Sequence, residues 1–136
     1  IDDPRFAYKK AIIAAHKFLD ENGKSEMEKI RERYIDFTII PTSILDEGSL
    51  DNLKTAIFDS LGIIRVYTKR VGYEVDYVDP IILPIGGTVE DAARVIHKDF
   101  AHKLRFAKIW GEGKFEGQRI KNSFILSDKD VIEFHI

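Results

Sequence analysis

Gly87-Thr88-Val89-Glu90-Asp91-Ala92-Ala93-Arg94-Val95-Ile96-His97-Lys98-Asp99-Phe100 is the stretch whose reading decides the fold. Thr88 is a helix-capping residue type, because its hydroxyl can accept from one of the N–H groups that a first turn leaves without partners. From there Val89, Ala92, Ala93 and Ile96 recur at helical spacing and predict the buried face of a short helix. Outward from that helix the rhythm changes to period two. Ile64-Arg65-Val66-Tyr67-Thr68-Lys69 alternates as a half-buried strand does. A turn-rich segment through Gly72 and Asp79-Pro80 then precedes Ile81-Ile82-Leu83-Pro84. Beyond the helix, short strands are predicted around residues 106–110, 118–120 and 131–135.

Strand, strand, helix and further strands is the β-grasp order, a mixed sheet with one helix on one face. At 136 residues there is room for one domain or two very small ones. A 44% hydrophobic and 32% charged composition is ordinary for a globular protein and argues against a disordered chain. The net charge of −2 gives no global field for nucleic acid, so DNA is not an expected partner and any basic surface must be local. The absence of cysteine excludes disulfides, thiolate metal sites and a Cys nucleophile. No apolar run is long enough to cross a bilayer and no signal-peptide pattern opens the chain, so a cytoplasmic protein without a membrane partner is expected. His16, His97, His102 and His135 are too dispersed for a zinc site, so no metal site is expected. His97 suits a helix end, where an imidazolium favours the dipole. No catalytic constellation is present.

The first sixty residues read helix, helix, strand, helix. Asp3-Pro4 opens a predicted helix whose stripe is Ala7, Ala11, Ala14 and Phe18, flanked by Tyr8, Ile12, Ala15 and Leu19, with Gly23 as its stop. A charged helix is predicted over 25–33 with Met27 and Ile30 facing inward. The run 34–40 reads as a buried strand ended by Pro41. A loop over 42–48 leads to a helix from about Ser49 to Leu61, striped by Leu50, Leu53, Ile57 and Leu61 and stopped by Gly62. One strand cannot cover three helices, so this half wants a missing sheet. Gly23-Lys24-Ser25 has the ending of a phosphate-binding loop, but Phe18 stands where that loop needs glycine. A Ser25/Glu28 capping box after a Gly23 cap accounts better for it.

The spaced signatures 87–100, Ala107-Lys108-Ile109-Trp110-Gly111, Gly117-Gln118-Arg119-Ile120 and 126–134 resemble a TGS domain. This ubiquitin-like module occurs in threonyl-tRNA synthetases, Obg-related GTPases and SpoT-type enzymes, and performs no chemistry itself. Pro41-Thr42-Ser43-Ile44 before Ser49-Leu50-Asp51-Asn52-Leu53 resembles the last guanine-contacting loop of small GTPases, with Ser43-Ile44 replacing the usual Ser-Ala. A plain strand-to-helix turn selects the same residues. Helix 49–61 running into 64–69 and then the module resembles the C-terminal part of a developmentally regulated GTP-binding protein (DRG), a branch of the Obg-related GTPases.

That resemblance implies an α+β chain: residues 1–62 the C-terminal portion of an α/β G domain, residues 63–136 a TGS domain. It implies a translation-associated parent that is a GTPase using GTP and Mg2+. This chain alone, without a P-loop or switch residues, is expected to need no cofactor and to hydrolyse nothing. Thr42, Ser43 and Ile44 become nucleotide-binding positions. Asp2 is either the base-reading acid of an Asn-Lys-x-Asp motif or an acidic helix start.

Alternation gives the module a binding face. With Ile64, Val66, Ala107, Ile109, Ile132 and Phe134 turned to the helix, the opposite face carries Arg65, Tyr67, Lys69, Phe106, Lys108, Trp110, Glu133 and His135. Lys98, Lys103, Arg105, Lys114 and Arg119 add a local basic excess. Rings interleaved with cations suit single-stranded RNA, so Arg65, Tyr67, Lys69, Phe106, Lys108, Trp110, Lys114 and Arg119 are candidate contacts to RNA or the ribosome. Protein interfaces use the same residue types. The alternatives are therefore a docking surface for a protein partner, a DRG-family regulatory protein among them, and a free-standing TGS protein unrelated to GTP.

Overall fold

The computed structural model describes residues 9–16 and 21–136, and the chain divides into two compact units, Ile1–Leu61 and Gly62–Ile136. The first unit runs β1 (Ile12–His16), α1 (Glu21–Arg33), β2 (Thr38–Thr42) and α2 (Glu47–Leu61). β1 and β2 pair in parallel, from Ile12 opposite Thr38 to His16 opposite Thr42. Parallel neighbours need a crossover, and α1 supplies it. Ala15, Met27 and Ile39 form the core of this unit, with Ile13 and Ile30 packed against them.

The first predicted helix is corrected here, since within its described residues 9–16 the segment Ile12–His16 is a strand. A short apolar run carries no period, and pairing with β2 decides its state. The rest of that expectation, over 1–8 and 17–20, lies outside the described residues, as does Asp2. Gly23 and Ser25 both lie within α1, so neither the predicted stop nor the Ser25/Glu28 box forms. Among its described residues the unit is thus strand, helix, strand, helix. The second strand also moves: residues 34–37 make a turn, with the Phe37 N–H donating to the Tyr34 carbonyl at 3.1 Å. β2 then continues through Pro41 to Thr42. On α2 the predicted stripe is only partly covered, Ile57 being 45% and Leu61 59% exposed.

The second unit runs β3 (Ile63–Lys69), β4 (Val75–Pro84), α3 (Val89–Ile96), α4 (Lys98–Lys103), β5 (Phe106–Trp110), β6 (Gln118–Ile120) and β7 (Asp130–His135). Its five strands lie in the order β4-β3-β7-β5-β6. β3 and β7 are parallel and the other neighbours antiparallel. The core gathers Val66, Val89, Ala92, Ala93, Ala107, Ile109 and Ile132, with Phe100 and Phe134 against it. Both helices therefore contribute to the same face of the sheet.

Thr88 caps α3 in a full capping box: its Oγ1 accepts from the Asp91 N–H at 3.2 Å, and Asp91 Oδ2 accepts from the Thr88 N–H at 2.9 Å. Those bonds hold the Asp91 carboxyl below its ordinary pKa. Ile96, predicted to be buried, is 46% exposed, because the chain turns at His97 and α4 sends Phe100 to the core instead. His97 ends α3 and begins α4, where its Nδ1 accepts from the Asp99 N–H at 3.2 Å. It thus serves both the end of α3, as the sequence predicts, and the start of α4.

The edges of the sheet are blunted. β4 includes Asp79-Pro80, where the sequence predicts a turn, and its register with β3 slips between Val66 opposite Ile81 and Thr68 opposite Asp76. A bulge, a proline and acidic side chains protect such an edge from pairing with another strand. The opposite edge, β6, is only three residues long.

Candidate functional site

The sheet face turned away from the helices is the candidate site, because strand alternation assembles it from every long strand. Register places Trp110 beside Val131 and Val131 beside Tyr67. Tyr67 meets the Tyr77 ring of β4 edge-on with centroids 5.1 Å apart. An apolar row thus crosses four strands, and the Lys69 ammonium lies 4.9 Å from the Trp110 ring centroid. A second row is polar, with Arg119, Lys108 and Glu133 side by side. Glu133 is buried, and its Oε1 lies 2.7 Å from His135 Nε2 and 3.8 Å from Lys108 Nζ.

Phe106 stacks on His135 at 4.4 Å, with the planes 9° apart, and the Arg119 guanidinium lies 3.9 Å from its ring centroid. These two groups come from β7 and β6, the strands on either side of β5. Arg65 forms a two-pronged pair with Asp128, its Nη2 to Oδ2 at 2.7 Å and its Nε to Oδ1 at 3.1 Å. The pair raises the Arg65 pKa and holds the Asp128 carboxyl low, side-chain hydrogen bonding being the largest cause for both. Lys114 stands apart from the face. Its ammonium is 2.6 Å from Asp130 Oδ1, the two side chains being 14% and 2% exposed.

The structure therefore brings Tyr67, Lys69, Phe106, Lys108, Trp110 and Arg119 onto one surface, and sets Arg65 at its margin in an ion pair. Lys114 is committed to a buried carboxylate. Sequence reasoning missed the acidic partners Asp128 and Asp130, whose only signal was their place beside the turn that begins β7. Among the described residues no group of His, Cys, Asp or Glu could hold a metal ion, and no helix is long and apolar enough to cross a membrane.

In the first unit, the candidate nucleotide positions follow β2. The carboxyl ends of β1 and β2 coincide at His16 and Thr42, the end of a parallel sheet where open α/β folds bind ligands. Thr42 Oγ1 donates to the Ala15 carbonyl at 3.2 Å, and Ser43 Oγ accepts from the Leu45 N–H at 3.2 Å. Both residues are buried, whereas Ile44 is exposed. The loop is pinned by a residue that sequence reasoning placed only at the start of α2. Buried Ser49 accepts from the Ser43 N–H at 2.9 Å, and its hydroxyl lies 2.7 Å from the Asp46 carbonyl.

A five-stranded mixed sheet covered on one face by short helices defines a β-grasp module of the ubiquitin kind. The TGS domain model matches residues 64–136, more than half of the chain, and the chain belongs to the TGS domain family. It is 39% identical over 85 residues to an uncharacterized GTP-binding protein of Methanocaldococcus jannaschii, covering 62% of this chain and 22% of that protein. It is 34% identical over 96 residues to developmentally-regulated GTP-binding protein 1 of Xenopus laevis, covering 69% of this chain and 26% of that one. Ribosome-interacting GTPase 1 of Saccharomyces cerevisiae is 32% identical over 127 residues, covering 92% of this chain and 33% of its own length. The chain thus spans about a fifth to a third of the length of these relatives. The fold is shared with the crystal structure of a GTP-binding protein from Pyrococcus horikoshii, with a TM-score of 0.64 at 18% identity over 91% of this chain and 45% of that one.

Proposed function

We propose that this chain is the TGS-bearing part of a DRG-like GTP-binding protein, and that its β-grasp unit docks the parent onto RNA of the ribosome. The row of Trp110, Val131, Tyr67 and Tyr77, crowned by Lys69, carries this reading. Rings on an exposed sheet face stack on unpaired bases while cations beside them meet phosphates. The yeast relative's description as ribosome-interacting supports the same direction. GTP with Mg2+ belongs to the parent, and Thr42, Ser43 and Ile44 form its base-side loop at the carboxyl end of β2. The setting is cytoplasmic translation.

RNA binding that weakens with salt is the test. With about four phosphates neutralised on a single strand, log affinity falls against log salt with a slope near −2.8. Calorimetry with GTP on this chain gives no binding, because the phosphates have no loop to hold them; tight binding would overturn the assignment of nucleotide chemistry to the parent. A second reading is favoured by Phe106, whose ring already carries His135 and Arg119 and leaves no open face for a base. On that reading the face meets a protein, a DRG-family regulatory partner among them. Absence of RNA binding at low salt decides for it.

A further inference from the structure

We propose that the open cleft between the start of β5 and the end of β6 holds the phosphodiester backbone of single-stranded RNA, with Arg105, Arg119 and Lys121 as its phosphate contacts. The proposal rests on the RNA reading above and moves the electrostatic part of the site off the sheet face, onto its edge. The antiparallel register of Ala107 with Ile120 sets the residues before β5 beside those after β6. Arg105 and Lys121 therefore converge, and Arg119 and Phe106 line the same cleft, whose volume is about 630 Å3.

What singles out this cleft is which cations are already occupied. Arg65, Lys108 and Lys114 are paired with Asp128, Glu133 and Asp130. Arg94 is bound to Glu90, the carboxylate at the cleft wall, and draws it away from the cleft cations while also meeting Asp91 at 3.3 Å. Among the described residues neither Arg105 nor Lys121 has an ion-pair partner, and both are exposed. Cations gathered on one rim without a counter-charge repel one another, and a polyanion relieves that repulsion while releasing its own counterions.

A second observation lies in the same wall. Asn122 Nδ2 donates to the Leu104 carbonyl at 3.1 Å, which fixes the amide, and its buried Oδ1 has no donor among the described residues. The Nδ2 bond ties the segment after β6 to the turn before β5 and so fixes the wall of the cleft. Phe106 stands at the cleft end of the sheet face, and a strand anchored here crosses the row of Lys108 and Glu133 to reach Tyr67 and Trp110. An acidic peptide would meet the cations equally well, but it has no bases to offer those rings.

The experiment is fluorescence anisotropy of a labelled oligouridylate of about twelve nucleotides, within the range of site sizes that small single-strand-binding domains of the OB kind occupy. It is titrated over a range of salt against the full chain, Arg105→Gln/Lys121→Gln, Trp110→Ala, and the charge-matched control Lys9→Gln/Lys10→Gln. Losing two phosphate contacts lowers the log–log salt slope by about 1.4 in the cleft variant and by nothing in the control. An unchanged slope in the cleft variant, with binding lost in Trp110→Ala, overturns the cleft and leaves the RNA reading intact. Equal losses in the cleft variant and the control mark a diffuse charge effect and overturn the cleft as well. No binding by the parent chain at low salt removes both readings together. Circular dichroism of each variant guards against loss of fold, because both cleft side chains are solvent-facing and their removal costs no packing.

Discussion

Replacing Lys114 by Met separates a structural lysine from a ligand-binding one. The Lys114 ammonium is 2.6 Å from Asp130 Oδ1, and the carboxylate it serves is almost wholly buried. The other oxygen, Oδ2, accepts from the Ser127 N–H at 2.8 Å. No side chain can fill the space in between from Gly111, where an added Cβ would lie 2.3 Å from Oδ1. Lys114→Met thus strands a charge with one hydrogen bond remaining. Breaking a buried pair from one side costs about 3–5 kcal/mol, and the surviving bond from Ser127 places this case near 3 kcal/mol. In a unit of this size each kcal/mol shifts Tm by about 4–8 °C, so a fall of about 12–24 °C is expected. Trp110 is the single tryptophan and lies in the β-grasp unit, so its fluorescence follows that unit alone. Lys114→Met/Asp130→Asn removes both charges and recovers most of the loss. A shift of about 4 °C or less in the single variant, the scale of a surface ion pair, would refute the reasoning, and so would a double variant no more stable than the single.

Thr88→Ala removes the α3 cap and costs about 1 kcal/mol, read as a Tm drop of about 4–8 °C in the same fluorescence melt. Ser49→Ala leaves the Ser43 N–H and the Asp46 carbonyl without their hydroxyl partner. A local cost of about 1–3 kcal/mol follows, and hydrogen exchange at the Ser43 and Leu45 amides accelerates accordingly. Asp91 and Asp128 have depressed pKa values in the fold, so their stabilisation is whole above the ordinary Asp value of about 3.9 and is lost as pH falls through the depressed values. Asp128→Asn accordingly melts lower than the parent at neutral pH, and its Tm declines less steeply below about pH 4.

The β-grasp half was legible because its signals are local and periodic. Thr88 followed by an acid three residues on, and the alternation through 64–69 and 106–110, each specify one arrangement that the sheet then accepts. Face assignment followed from period two alone, and Val66, Ala107, Ile109 and Ile132 are all fully buried. The amino-terminal half was less legible. Ile12-Ile13-Ala14-Ala15 suits either a buried helix or a parallel strand, and only a partner 26 residues away, Ile39 opposite Ile13, decides between them. The turn at Asp79-Pro80 was misjudged for a related reason, since an edge strand with a bulge tolerates proline that a central strand rejects. At the candidate site, residue types could be read but their partners could not. Nothing in the sequence says that Lys114 is taken by Asp130 while Arg105 stays unpaired, because those pairings depend on which loops converge.

The placement of β7 has a consequence for biosynthesis. This strand is the last of the module in chain order, yet it lies at the centre of the sheet, paired with β3 on one side and β5 on the other. Until it leaves the exit tunnel, the nascent chain holds two separate hairpins, β3–β4 and β5–β6, with no common hydrogen-bonded partner. Closing the sheet joins residues more than sixty positions apart, a slow step for topological reasons. The module thus stays open until nearly its whole length has been synthesised, and chains interrupted before Asp130 offer two unpaired inner strand edges to the quality-control machinery.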